Sequence, residues 1–240
     1  MNALPTRKDE AWRYSDLDAV ARLWPAPPAT RIDVPEGEQA TRYLIADAGI
    51  HDFAVTVGAG ARFEFHLLNA GAAYGRVAID VTLHDGAHFE FGAVQIGGGD
   101  ATLEIVTTVR HVEPNATSKQ IVRNVLGGTA TGSYLGKVAV SRDAQKTDSV
   151  QSVKAMLLTR TATANAKPEL EIYADDVKCA HGATVGELDK NAMFYLAARG
   201  LSPVQAQTLL LQAFVGEVFE DAGAKDELQA AALDALGRLS

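Results

Sequence analysis

The chain carries one cysteine, Cys179, among its 240 residues. A single thiol cannot form an internal disulfide framework, and without a CxxC pair one chain cannot close a cysteine-rich zinc or iron–sulfur site. Basic residues are the next scarcity. The 22 Lys and Arg stand against 30 Asp and Glu, for a formal net charge of -8 and a pI near 5.2. Phosphate backbones are held by clustered cations; here the cations are scattered, which excludes a nucleic-acid surface as a reading. Long apolar runs are missing as well. No stretch approaches the roughly 18 residues of a membrane span, and the opening MNALPTRKDEAWRYS puts charges where a secretory signal needs its apolar centre. The expectation is a cytoplasmic chain with no membrane partner, in a compartment that keeps thiols reduced.

What the chain does have is an ordinary folded composition, 47% apolar and 22% charged. Thr6 followed by Asp9 and Glu10 has the form of a helix start, and predicts a short helix over about residues 7 to 23. Trp12, Tyr14, Leu17, Val20 and Leu23 would dock it on the body of the protein. WPAPPATRIDVPEGE follows, and its Pro25, Pro27, Pro28 and Pro35 forbid continued helix, so it reads as a linker. From Phe53 to about Gly186 the pattern is one of short alternating runs, among them FAVTV, RFEFHLL, RVAIDVTL and HFEFGAVQI, bounded by Gly, Asn or Asp. GARFEF at Gly60 to Phe65 returns as GAHFEF at Gly86 to Phe91, an echo at 26 residues. A fixed interval of that size marks a coil of strands stacking on the next, so a β-solenoid is the first reading, with a β-sandwich as the alternative.

After the strands the period becomes helical. Asp189 is an N-cap for DKNAMFYLAARG with Gly200 as its stop, and Ser202-Pro203 opens VQAQTLLLQAFVGEVFEDAG, predicted to run to Gly223. A last helix spans about Asp226 to Leu236. Leu209, Leu210, Ala213, Phe214, Val218 and Phe219 form a wide apolar face, either docked on its own domain or open to another protein. The division is residues 1–36 for the N-terminal helix and linker, 37–188 for the solenoid, and 189–240 for the helical domain.

The chemistry-bearing residues are Cys179 and His181. If YADDVKCAH is extended, alternation places Tyr173, Asp175, Val177, Cys179 and His181 on one face, thiol beside imidazole. Zinc or iron–sulfur iron wants about four such ligands, so the pair is half a site, sensible if a second chain brings the rest. The plainer reading is an inward-packed Cys179 and an ordinary hydrogen-bonded His181. Other motifs fall away. TGSYLGKV has Thr131 where a phosphate loop needs its first glycine, and Val138 where it needs Ser or Thr. His84 and His88 flank the turn Asp85-Gly86-Ala87, which destroys helical metal-pair geometry. No GxSxG elbow is present, so no catalytic residue is assigned.

KPELEIYADDVKCAHGATVGELDKNAMFYLAARGLS, Lys167 to Ser202, resembles the signature of the SufB/SufD family of iron–sulfur cluster assembly proteins. LPTRKDEAWRYSDL, Leu4 to Leu17, is similar to the amino-terminal segment of the family's SufD members, and DAQKTDSVQSVKAMLLT, Asp143 to Thr159, resembles the turns before the signature. The resemblance implies a right-handed parallel β-helix followed by a helical C-terminal domain. It implies pairing with a SufB-like paralogue through the β-helix, binding of a SufC-like ATPase through the C-terminal helices, and a homodimer as the option in isolation. His181 matches the family histidine at the paired interface and is the candidate iron or cluster ligand; Cys179 matches the neighbouring cysteine. The cluster would be transient, with no cofactor held stably by the isolated chain. Ala180 departs from the Ser of many members, and the chain looks abbreviated between linker and repeats. Two other classes stay open: a β-helix enzyme acting on polysaccharides through Asp175 and Asp176, which neighbouring strand positions would send to opposite faces, and a stand-alone metal-binding module.

Overall fold

The computed structural model describes residues 3–46, 48–71, 73–220 and 222–239. Within them the strands run in the order β1 (Thr30–Val34), β2 (Gln39–Ala46), β3 (Gly49–Val57), β4 (Arg62–Ala70), β5 (Tyr74–Leu83), β6 (His88–Gly97), β7 (Thr102–His111), β8 (Thr117–Leu126), β9 (Thr131–Val140), β10 (Asp148–Leu157), β11 (Thr163–Ile172) and β12 (Lys178–Gly186). Odd-numbered strands form one six-stranded sheet and even-numbered strands another, each in sequence order. Every pairing is parallel, as in Arg62 facing His88 or Thr102 facing Thr131. The chain therefore winds as a parallel β-solenoid, each turn adding one strand to each sheet, and the sandwich alternative, which needs antiparallel sheets, is set aside.

The GARFEF/GAHFEF echo is one turn of this coil. Phe63 lies in register with Phe89 and Phe65 with Phe91. Later turns lengthen, with His88 facing Thr117, Thr117 facing Asp148 and Asp148 facing Lys178, so the echo fades while the stacking continues. One corner recurs through the coil in left-handed backbone: Gly60 and Gly86 at φ 62 and 61, then Asn115 and Lys146 at 63. Glycine takes this conformation without steric cost. The two non-glycines are tied across turns, Asn115 Nδ2 donating to Asp85 Oδ1 at 2.9 Å and Lys146 pairing with Asp176.

Strands begin earlier than the alternation suggested. β1 lies inside the stretch read as linker, and β2 also precedes Phe53, both mostly exposed at the first turns and so without a clean apolar signal. The single helix expected over residues 7 to 23 is instead a 3-10 turn, Glu10–Trp12, followed by α1 (Leu17–Leu23). Asp16 supplies the cap, accepting from the Asp18 and Ala19 amides at 3.0 Å, whereas the Thr6 amide donates to Asp9. This segment packs on the outside of the odd-numbered sheet. Ser15 donates to Glu104 at 2.7 Å, Arg76 pairs with Glu104 at 2.6 Å, and the Arg76 guanidinium lies 3.8 Å from the centre of the Trp12 ring.

At the other end come α2 (Lys190–Ala198), capped by Asp189, and α3 (Pro203–Gly216), whose Ser202 and Gln205 form a capping box. The helix expected to reach Gly223 stops at Gly216 in a 3-10 turn, Glu217–Phe219, before α4 (Lys225–Gly237). Leu211, Val215 and Phe219 with Leu228 of α4 cover Leu68 and Val94 on the outer face of the even-numbered sheet. Gly92 permits the approach, since a Cβ there would stand 3.0 Å from the Val218 carbonyl oxygen. Phe214, Val218 and Phe219 of the apolar face read from the sequence are thus docked on the chain itself, while Leu209 and Ala213 are exposed.

Candidate functional site: the last turn of the solenoid

Alternate residues of each strand point into the coil, and parallel register stacks them in columns along its axis. One column of the even-numbered sheet reads Phe63, Phe89, Ser118, Ser149, Cys179; the next reads Phe65, Phe91, Gln120, Gln151, His181. Both change character half-way. In the early turns the rings of Phe63 and Phe89 stack at 6.0 Å, those of Phe65 and Phe91 meet at 6.1 Å, and all four are buried. In the later turns the same positions hold hydroxyls and amides.

Those polar groups are organised from the opposite sheet. His111, fully buried, meets the Ser118 hydroxyl at 3.0 Å through Nε2, and Ser118 meets Ser149 at 2.8 Å. Burial pushes the His111 imidazole down to about 4, so the ring is neutral. Thr107 and Tyr134 each donate to Gln120 Oε1 at 3.1 Å. The Tyr134 ring folds over Gly136, where any Cβ would collide with the phenol. Gly132 and Gly136 of TGSYLGKV are therefore strand residues in β9; Gly136 makes room for the phenol, and Gly132 lies close against Leu126. Gln151, 2% exposed, has neither its amide nitrogen nor its amide oxygen paired, and the Gln120 amide nitrogen is also without a partner.

Cys179 and His181 close the two columns in β12, the edge strand of the even-numbered sheet, which among the described residues pairs with β10 alone. Cys179 is half-buried against the solenoid core and His181 is exposed. Burial, with the Asp148 carboxylate adding to it, raises the Cys179 thiol above its ordinary range, so it rests as a thiol and needs a metal or a cation to become a ligand. The expected alternation from Tyr173 is corrected: residues 173–177 form the corner between β11 and β12, and only Cys179 and His181 share a strand face. Among the described residues no three His, Cys, Asp or Glu side chains gather as a metal site. His84 and His88 bracket a turn as read from the sequence, the first 3.2 Å from Glu113 and the second 2.6 Å from Thr117.

The sequence reading missed the interior residues that lead to this pair. A signal was present: Ser118-x-Gln120, Ser149-x-Gln151 and Cys179-x-His181 occupy the same register in successive turns. The spacing between them is uneven and the residue types differ, so no literal repeat marks them.

Comparison with known proteins bears on this geometry. The SufBD core domain of the SUF system for FeS cluster assembly matches residues 47–214, well over half of the chain. The chain belongs to the SufBD family. It is 34% identical over 168 residues to an iron–sulfur cluster assembly SufBD family protein of Synechocystis, covering 70% of this chain and 37% of that protein. It is 36% identical over 127 residues to the iron–sulfur cluster assembly protein SufD of Escherichia coli, 52% of this chain and 30% of that one. The chloroplastic protein ABCI7 of Arabidopsis thaliana is 35% identical over 122 residues, 50% of this chain and 26% of its own length. The matched region thus spans between about a quarter and somewhat over a third of each of these relatives. No helix among the described residues is long and apolar enough to cross a membrane.

Proposed function

We propose that this SufBD-family chain is a non-enzymatic scaffold subunit of SufD type in the cytoplasm, pairing with a SufB-like paralogue so that an iron–sulfur cluster is built where the two meet. The observation that carries this is the uncapped last turn, in which Cys179 and His181 end two interior columns at a sheet edge. An edge strand presents unpaired N–H and C=O groups, and a second solenoid can satisfy them by adding its own strand. Two ligands of soft or borderline preference are half of what iron needs, and the partner supplies the remainder. The cluster is cargo. The residues 37–188 form the pairing body, and the same edge could join two copies in isolation.

The C-terminal helices, 189–240, are assigned to a SufC-like ATPase. α2 buries none of its residues, and Phe194 is 76% and Tyr195 57% exposed, as is Val204 at the start of α3 at 63%. Large apolar side chains left open in this way suit a protein partner. The test is anaerobic co-expression with the SufB-like and SufC-like proteins of the same organism. The expected result is a three-component complex in which His181→Ala leaves assembly intact and lowers the yield of cluster. A complex that forms clusters equally well with His181→Ala would overturn the assignment, and failure to recover any complex would overturn the scaffold reading.

A further inference from the structure

The interior columns point to a residue that the last turn relies on. Gln120 has spent its carbonyl oxygen, which accepts from both Thr107 and Tyr134 at 3.1 Å, and those two hydroxyls are 3.0 Å apart. With the carbonyl oxygen on those two hydroxyls, the Gln120 amide nitrogen is a buried donor without a partner. The next residue in the column is Gln151, in register with Gln120 on one side and with His181 on the other. Gln151 is 2% exposed and both of its amide atoms are unpaired. A buried primary amide with no partner costs on the order of 1–3 kcal/mol, so its persistence at this register calls for a partner supplied when the site is in use.

We propose that Gln151 is the positioning residue of the His181 site. Its side-chain carbonyl takes one hydrogen bond from the Gln120 amide and a second from the N–H of the His181 ring. An imidazole that ligates a metal through one nitrogen carries its proton on the other, and a carbonyl acceptor for that N–H fixes both the tautomer and the ring plane. The lone-pair nitrogen of His181 then faces away from the interior, toward the open end. Tyr134 and Thr107, held over Gly136, act through Gln120 as the anchor of this ladder. The inference rests on the reading of His181 as a ligand, and extends it inward by two turns.

The experiment reads the ring itself. The full chain is labelled with 15N-histidine and combined with its unlabelled co-expressed partners, the state in which the site is in use, and the His181 ring resonances, assigned by their loss in His181→Ala, are recorded under mildly alkaline conditions where an imidazole is neutral. The unsubstituted chain is expected to give two well-separated nitrogen signals, one protonated and one lone-pair in type. Gln151→Leu and Gln151→Met, which remove the acceptor, should bring the two together as the tautomers average, while Gln151→Glu keeps them apart. In the co-expressed complex the same two apolar variants should lower cluster yield several-fold and Gln151→Glu should retain it. An unchanged pair of signals in a folded Gln151→Leu or Gln151→Met overturns the inference. Signals that respond as expected, alongside a cluster yield indifferent to His181→Ala, would instead leave the ladder standing and remove the ligand role of His181, so the two failures are read separately.

Discussion

The early and late turns of the solenoid use one backbone for opposite purposes. In the early turns the two interior columns hold Phe63, Phe65, Phe89 and Phe91, all within 1% of full burial. In the later turns the same columns hold Ser118, Gln120, Ser149 and Gln151, also buried, and end at Cys179 and His181. Rings that stack every turn fill space and need no partners. Amides and hydroxyls in the same place must be paired one by one, and Gln151 is not. The early turns are therefore read as the part that holds the coil together, and the later ones as the part shaped by something beyond folding.

The largest effect should come from the aromatic end. Phe89→Ala removes a fully buried ring stacked on Phe63 and 6.2 Å from Phe91. A loss of about 3–5 kcal/mol is expected in urea unfolding, the range for large-to-small core substitutions. A loss near zero would break the comparison at its stable end.

Next in size is a pH effect that belongs to the polar end. His111 is buried neutral, with its value near 4 in the folded chain against the ordinary 6.5. The unfolded chain binds the extra proton first, so the folded state loses stability as pH falls from about 6.5 toward 4 and regains it as pH rises. The shift corresponds to on the order of 3 kcal/mol across that window. Carboxylates held below their ordinary range, Glu90 beside Lys119 among them, lose their contribution at lower pH still. The measurement is accordingly a difference: Gln in place of His111 should flatten the pH dependence of unfolding between 6.5 and 4 relative to the unsubstituted chain. Parallel curves would mean that the ring is not buried neutral.

The same division explains what could be read from sequence. The early turns were legible because Phe63-x-Phe65 and Phe89-x-Phe91 repeat in type as well as in register, and the helix caps Asp189 and Ser202 were legible because capping depends on local chemistry alone. Cys179 and His181 were found because each is a rare ligand type, two residues apart. Gln120 and Gln151 were not, since a polar residue in an alternating strand is taken to face solvent until register shows which face is inside. β1 and β2 escaped for a related reason: at the end of a coil only one side of each strand has a neighbouring turn, and burial no longer writes an apolar alternation into the sequence.

The smallest expected effect is also the sharpest test. Gln151→Leu replaces an unpaired buried amide with an apolar group of similar size, surrounded by Gln120 and the core rather than by water. Removing a polar group that has no partner recovers its desolvation cost, and removing the acceptor owed to the Gln120 nitrogen forfeits little, because that bond is not made in the free chain. The stability of the isolated chain should therefore change by less than about 1 kcal/mol, in either direction, where Phe89→Ala costs several times more. If Gln151→Leu instead unfolds the chain as readily as Phe89→Ala does, the amide is part of the load of the fold and the two ends of the coil are alike. If the stability holds while the His181 ring loses its fixed tautomer, the later turns keep a polar interior that folding does not need, and the site at the open end is the reason it is there.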